Sequence, residues 1–382
     1  MPSAYFDHNA TTPLDERVLA SMQPYFREHF GNPSSRHEYG REARRAVDSA
    51  REQVAAALGA HPAQVIFTSG GSEANNLAIK GAAACLPAAQ VAVSAVEHPC
   101  VARPAQELAR QGWTLARIAV NAAGEVQGAT LEQVLQQPTG LVSVMLANNE
   151  TGVIQDVATL GEMARRHGAL MHSDAVQALG KVPLDFAALN VDMLSVSAHK
   201  AYGPKGIGAL VLDKGLEIQP LISGAGHEKG LRAGTENVPA IVGFGVACEI
   251  AAREAVQRAE GLRALRDELE CGLRALGAVI FGADAGRLAN TSYFAFPGID
   301  GETLVMALDS VGYAVAGGAA CSSGSTQASA TLLAMGVDNE IGRGAVRASL
   351  GKHTTQPQIE GLLRALQGEL KRMRGLAAMT TQ

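Results

Sequence analysis

The groups in this chain best suited to chemistry are a lysine past a buried strand, an aspartate ending the strand before it, a glycine turn and a cysteine among small residues. Lys200 closes Ser197-Ala198-His199-Lys200, after the apolar run Met193-Leu194-Ser195-Val196 and before a glycine-rich turn. Partial burial there would lower the pKa of its amine and make it available for a Schiff base, whereas most lysines are simply solvated. Asp174 could pair with a protonated ring nitrogen, and Gln177, one turn on, could bond a phenolic oxygen. A helix N-cap explains Asp174 locally just as well. Thr68-Ser69-Gly70-Gly71-Ser72-Glu73 reads as strand end, turn and helix start, where free N–H groups and the positive dipole end can hold a phosphate or merely be capped. His98 suits stacking on a flat ring or an ordinary loop bond before Pro99.

Two further groups belong to the C-terminal third. Cys321 lies in Ala316-Gly317-Gly318-Ala319-Ala320-Cys321-Ser322-Ser323-Gly324-Ser325, a run with little bulk, which predicts a mobile thiol, against the alternative of a small cysteine packed among Ala and Gly. Arg347, in the apolar run 345–350, has the planar fork for bidentate capture of a carboxylate or for a salt bridge to a core acid. Arg232-Ala233-Gly234-Thr235-Glu236-Asn237 is a dense polar turn able to reach a phosphate, though not necessarily one in its own subunit. Cys85, Cys100, Cys248 and Cys271 read as structural. No H-E-x-x-H or clustered Cys/His motif marks a metal site, no Gly-Lys-Ser/Thr completes a Walker loop, and no G-x-S-x-G elbow is present.

These residues need a scaffold. Runs at 65–68, 91–94, 141–146, 169–172 and 193–196 read as strands buried on both faces, each followed by polar residues, with helix-period segments between. That rhythm predicts an α/β unit with a mainly parallel sheet and its ligand crevice at the carboxyl ends of the strands. Residues 251–277 read as a long amphipathic helix leading to a smaller α+β unit, with strands at 278–281, 291–296 and 345–350 and helices at 302–311 and 356–373. The chain has 382 residues, 18% of them charged, and a net charge of -5 without a basic run, so nucleic acid is not an expected partner. The absence of a long apolar stretch or an amino-terminal leader pattern predicts no membrane partner and a cytoplasmic location. Five cysteines without a C-x-x-C pair argue against a disulfide framework.

Taken in order, Tyr5-Phe6-Asp7-His8-Asn9-Ala10-Thr11-Thr12-Pro13, Thr68 to Glu73, Glu97-His98, Asn148-Asn149-Glu150-Thr151-Gly152, Asp174-Ala175-Val176-Gln177, Ser197 to Gly206, Arg232 to Thr235 and Ala320-Cys321-Ser322-Ser323-Gly324 resemble the pyridoxal-phosphate cysteine desulfurases of the class V aminotransferase family. The resemblance implies a type I fold, with a seven-stranded-type sheet in a large unit of residues 14–255 and a small unit of residues 1–13 and 256–382. It implies that Lys200 carries pyridoxal 5'-phosphate, that Asp174 pairs with its ring nitrogen, that Gln177 contacts the ring oxygen and that His98 stacks on the ring and shuttles protons. Gly71, Ser72, Ser197 and His199 would hold the phosphate, with Thr235 reaching it from the other subunit of a homodimer. Asn9, Asn149 and Arg347 would bind L-cysteine, Asn149 also lying against the cofactor. Cys321 would be the nucleophile that leaves with a persulfide while alanine is released, passes sulfur to an acceptor such as an iron–sulfur scaffold, and transiently ligates an iron–sulfur cluster.

The sequence departs from the family pattern at Ser72, where threonine is common, at Ala316-Gly317-Gly318-Ala319, where a serine-rich approach is usual, and at Gln327-Ala328-Ser329. A chain ending at Gln382 is expected to lack the longer tail by which housekeeping members dock their scaffold, which points to the nitrogen-fixation branch. Selenocysteine lyase, an ordinary aminotransferase and a cofactor-free sulfur-relay protein are the alternatives.

Overall fold

The structure, a computed structural model, describes residues 4–318 and 327–380. In chain order the strands are β1 (Ala4–Tyr5), β2 (Val65–Thr68), β3 (Gln90–Ser94), β4 (Thr114–Ile118), β5 (Thr139–Ser143), β6 (Leu170–Asp174), β7 (Met193–Ser197), β8 (Gly208–Leu212), β9 (Val279–Ile280), β10 (Thr291–Ala295), β11 (Tyr313–Ala314), β12 (Ala316–Gly317) and β13 (Ala345–Ser349). β2 to β8 form one seven-stranded sheet in the order β2-β8-β7-β6-β5-β3-β4. β8 runs antiparallel to both neighbours, while the pairings from β7 to β4 are parallel. All residues of β2, β3, β7 and β8 are buried, as expected for strands with helices on both faces.

Two of these strands are absent from the sequence reading. β4 is the edge strand and mostly not buried, so it carries no continuous apolar run. β8 follows the turn Gly203–Gly206 directly and turns back beside β7, as its antiparallel register requires. The helix expected at 251–277 begins at Val238 and runs unbroken to Ala275. Asn237 caps its start and Pro239 occupies the first turn. Residues 238–248 are all buried or half-buried, so the one-sided periodicity that marks an amphipathic helix appears only later.

That helix joins two apolar cores. Ile241, Phe244 and Cys248 pack under the large sheet, whereas Leu262, Leu269 and Leu273 belong to a core with Phe294, Leu304 and Leu366. In the second core β10 pairs antiparallel with β9 and β13, and β12 pairs with β13. Phe6, from the start of the chain, is fully buried there, and β1 pairs parallel with β11. A bridge between Asp7 and Ser349 extends the chain beyond β1 along β13 and delivers Asn9 to the gap between the two sheets. Among the described residues no helix is long and apolar enough to cross a membrane, and no cluster of His, Cys, Asp and Glu could hold a metal ion.

Candidate active site

The carboxyl ends of β2, β3, β5, β6 and β7 open into one cleft of about 610 Å³, closed on its far side by Arg347 of β13, Tyr293 of β10 and residues 327–331. Every sequence-predicted site residue lines it except Thr235 and Cys321. Cys321 lies outside the described residues. Thr235 is exposed and does not line the cleft of its own chain.

At the end of β2 the helix Gly71–Ala83 begins without any side chain capping its first turn, because Gly70 is the N-cap. Gly70 has φ 152°, a conformation that favours glycine. A methyl group at Gly71 would come within 2.6 Å of Val176 Cγ2. The backbone therefore hugs β6 and β7, leaving its first N–H groups available to an anion. Facing that turn, Ser197 Oγ is buried without a hydrogen-bond partner among the described residues. An orphaned hydroxyl beside an uncapped helix start is the arrangement a phosphate would complete. His199 is anchored nearby, its Nδ1 3.2 Å from Thr11 Oγ1, and burial brings its pKa down to about 4.

Another part of the cleft lining, around Asp174, suits a protonated ring. Asp174 accepts from Asn75 Nδ2 at 2.7 Å and Val176 N at 2.9 Å, yet forms no salt bridge with a cation among the described residues. Burial pushes its pKa up, the penalty of enclosing a carboxylate, and its hydrogen bonds, together with the more distant His98 and Lys200 charges, offset this only in part. A ring N–H⁺ would supply a direct counter-charge. His98 caps the helix Pro99–Ala109, and burial lowers its pKa, favouring the neutral ring. Its Nδ1 lies 2.8 Å from Cys100 Sγ, which also accepts from Asn75 Nδ2 at 3.0 Å. Cys100 thus lines the cleft, and burial raises its thiol to about 12, as suits an unreactive, structural cysteine. Of the other described cysteines only Cys248 is buried; Cys85 and Cys271 are exposed.

Lys200, which also lines the cleft, donates from Nζ to the carbonyls of Asn9 and Ala10 at 2.5 and 2.7 Å. Asn9 O also accepts from Gln177 Nε2 at 2.8 Å. The Asn9 side chain is saturated: Nδ2 donates to Asn149 O and Thr291 Oγ1, and Oδ1 accepts from Lys181 and Asn290. Arg347, buried, donates to Asp7 Oδ1 at 2.6 Å and to Asn149 O at 2.8 Å. The salt-bridge reading of Arg347 is thus seen in its pair with Asp7, while its buried Nε has no partner among the described residues and remains available to an acceptor.

The sequence reading missed three contributors. Glu97 Oε1 accepts from Ser94 Oγ and Met145 N, and burial raises its carboxyl to about 8. Burial raises Glu150 likewise, beside Ser329, Arg347 and Tyr293. Lys181 stands behind Gln177. Glu97 and Glu150 sat within quoted motifs, but a lysine following a glycine carried no signal.

The model of the Aminotransferase class-V family matches residues 4–362. Cysteine desulfurase 2 of Trichormus variabilis is 41% identical to this chain, over 99% of it and 95% of the relative. A cysteine desulfurase of Bradyrhizobium diazoefficiens is 44% identical, over 99% and 97%. The chain belongs to the cysteine desulfurases of the class V aminotransferase family. A solved NifS-like protein superposes with a TM-score of 0.91 at 39% identity, covering 97% of this chain and all of the other. SspA in complex with cysteine gives 0.82 at 34%, covering 92% and 100%. The type I fold expected from the sequence is the fold observed, and the enzyme removes sulfur from cysteine with pyridoxal phosphate as cofactor.

Proposed function

We propose that Lys200 carries the cofactor, with Asp174 on the ring nitrogen, Gln177 toward the ring oxygen and His98 over the ring. Gly71, Ser72, Ser197 and His199 hold the phosphate. The observation that carries this reading is a pair of demands lining one cleft with the Lys200 amine: the Ser197 hydroxyl, orphaned among the described residues, and the buried Asp174 carboxylate, whose pKa is raised and which has no ion-pair partner among them. When bound, pyridoxal phosphate supplies an electron sink for charge developing on the substrate's carbon skeleton. Arg347 and Asn149 orient L-cysteine, the former by offering a carboxylate its free N–H groups. Asn9, whose side chain is fully engaged, contributes through its main-chain carbonyl.

His98, neutral near pH 7 in its buried setting, takes and returns protons at the substrate, and the Lys200 amine, once released, does the same at the α-carbon. The Cys321 thiolate then attacks the substrate sulfur. The S–S bond forms as the Cβ–S bond breaks, its electron pair remaining with carbon, and protonation of that carbon yields alanine and a Cys321 persulfide.

In this reading residues 14–255 form the large unit and residues 1–13 and 256–382 the small one, which fits the two separate apolar cores. The protein works as a homodimer in which Thr235 serves the partner's phosphate. Phe26, Phe30 and Tyr39 are 63, 69 and 56% exposed, a large apolar area to leave in water. Their segment is tied to the Thr235 turn through Ser34–His227 and Arg44–Glu236 contacts. Bound sulfur passes to a protein acceptor, for which a cytoplasmic iron–sulfur scaffold, including one serving nitrogen fixation, suits a persulfide that delivers sulfur without releasing free sulfide.

Mass spectrometry of the holoenzyme after brief exposure to L-cysteine tests the assignment. One added sulfur on the Cys321 peptide is expected, absent in Cys321→Ala, with borohydride fixing the cofactor to the Lys200 peptide. Normal alanine production by Cys321→Ala would overturn the role of that thiol.

A further inference from the structure

Lys181 is left without a task by the reading above, and its surroundings are unusual for a lysine. It follows Gly180 after the turn that carries Gln177, and its amine is turned inward, forming hydrogen bonds to Gln177 Oε1 at 2.6 Å and Asn9 Oδ1 at 2.8 Å. No carboxylate forms an ion pair with it among the described residues. The charged or titratable groups that act on it or respond to it are Lys200, Arg347 and His8, with His353 behind His8. Burial first, and then the Lys200 and Arg347 cations, hold its pKa well below the ordinary lysine range. Lys181 and Lys200 also line a second small cavity behind the main cleft, together with His8 and Asn290. An enclosed amine gains little by being there unless its donors are needed.

The needed donors are explained by the amide of Gln177. A glutamine amide has one acceptor end and one donor end, and only its neighbours decide which way it faces. Here Oε1 meets the Lys181 amine, and Nε2 uses one hydrogen on Asn9 O, the same carbonyl that receives Lys200. A flipped amide would set donor against donor at Lys181 and acceptor against acceptor at Asn9 O. Nε2 keeps a second hydrogen that no contact among the described residues uses, and Gln177 is a lining residue of the cleft. The same amine fixes Asn9, whose carbonyl anchors Lys200.

We propose that Lys181 is a positioning residue of the desulfurase, orienting the Gln177 amide so that it presents N–H rather than C=O to the ring oxygen of the cofactor held at Lys200. The inference rests on the assignment of Lys200 and Gln177 above. Its consequence is spectroscopic. An N–H donor stabilises negative charge on the ring oxygen and so eases loss of the neighbouring proton from the Lys200–cofactor link.

The test is a pH titration of the visible absorbance of the holoenzyme without substrate. Lys181→Met, which keeps the length but has no donor, is expected to raise the midpoint by about half to one pH unit, roughly a three- to tenfold change in acidity, the size of one redirected hydrogen bond. Gln177→Leu should give a shift of the same sign, and the double variant no further shift, because the two residues act as one unit. Lys181→Arg, which restores a donor, should return the midpoint toward the wild-type value. With 3-deoxypyridoxal phosphate, lacking the ring oxygen, wild type and Lys181→Met should titrate alike.

A lower melting temperature with an unmoved midpoint would mark Lys181 as structural and overturn the proposal. So would additive shifts in the double variant, or a shift that persists with the deoxy analogue. Should Lys181→Met fail to fold, Gln177→Leu and Lys181→Arg still decide: an unmoved midpoint in the former, or a midpoint in the latter displaced as far as in Gln177→Leu, refutes it. Borohydride reduction and peptide mapping of the same samples separate this from failure of the underlying assignment, which would put the cofactor on a residue other than Lys200.

Discussion

Ser197→Ala should change the cofactor-free and cofactor-bound proteins in opposite directions. In the structure the hydroxyl is buried and has no partner among the described residues. A buried polar group left unsatisfied costs about 1–3 kcal/mol, so deleting it should leave the apoprotein's stability unchanged or raise it by up to about 1 kcal/mol after the small void is counted. Bound to a phosphate, the same hydroxyl makes a hydrogen bond to a charged group, worth about 1.5–3 kcal/mol. Its loss should weaken binding of pyridoxal phosphate roughly ten- to 150-fold. Two measurements decide: thermal melts of apo and reconstituted protein, and titration of apoprotein with cofactor followed by absorbance. Pyridoxal, which lacks the phosphate, is the control and should bind wild type and variant equally. If Ser197→Ala destabilised the apoprotein as much as the holoprotein and left cofactor affinity unchanged, the hydroxyl would be a packing group and the phosphate would sit elsewhere.

Three other outcomes follow from buried charge and from the dimer. The Glu97 carboxyl is raised from 4.5 to about 8, so the folded apoprotein binds a proton there that the unfolded chain has lost. This contribution is complete below pH 4.5 and disappears as pH rises toward 8; Glu97→Gln, neutral throughout, should gain stability relative to wild type across that window, and a pH-independent difference in urea melts would refute it. Glu228, held at φ 44°, clamps Arg51 at 2.6 and 2.8 Å and accepts from Phe67 N, so Glu228→Ala should cost about 3–5 kcal/mol in urea unfolding by stranding a buried guanidinium. Replacing both partners by apolar residues of similar size should cost much less. Finally, if Thr235 serves the partner's site as proposed, mixing Thr235→Ala subunits with Lys200→Ala subunits should restore tight cofactor retention at one site per hybrid dimer, which would then draw Lys200 from one chain and Thr235 from the other. No recovery on mixing would mean that Thr235 acts within its own subunit or not at all.

What could be read in the sequence and what could not divide along a physical line. Lys200, Asp174, His98 and Ser72 could be placed at the cleft because each ends or closely follows a largely buried strand, and in an open α/β sheet such strand ends form the crevice. β4 and β8 were not legible in this way, one being a partly exposed edge and the other opening straight from a glycine turn. Their absence from the reading cost nothing at the site, since neither contributes a catalytic candidate. Contacts between distant segments left no local trace. Asn9 meets Lys200, Gln177 and Asn149, and Arg347 meets Asp7, across separations of more than 100 residues. Nothing in the spacing around Lys181 tells that its amine points inward, because a lysine after a short turn has the same pattern whether it ends in water or on a glutamine. The place of Cys100 in the cleft lining left no local trace either. Its helix position is ordinary, and only the fold brings Asn75 and His98 to its sulfur. Local sequence thus indicates which strand ends are chemical, while the orientation of each amide, thiol and amine there is set by neighbours from elsewhere in the chain. For that reason the roles of Lys181 and Gln177 are to be sought in the coupling of paired substitutions rather than in either one alone.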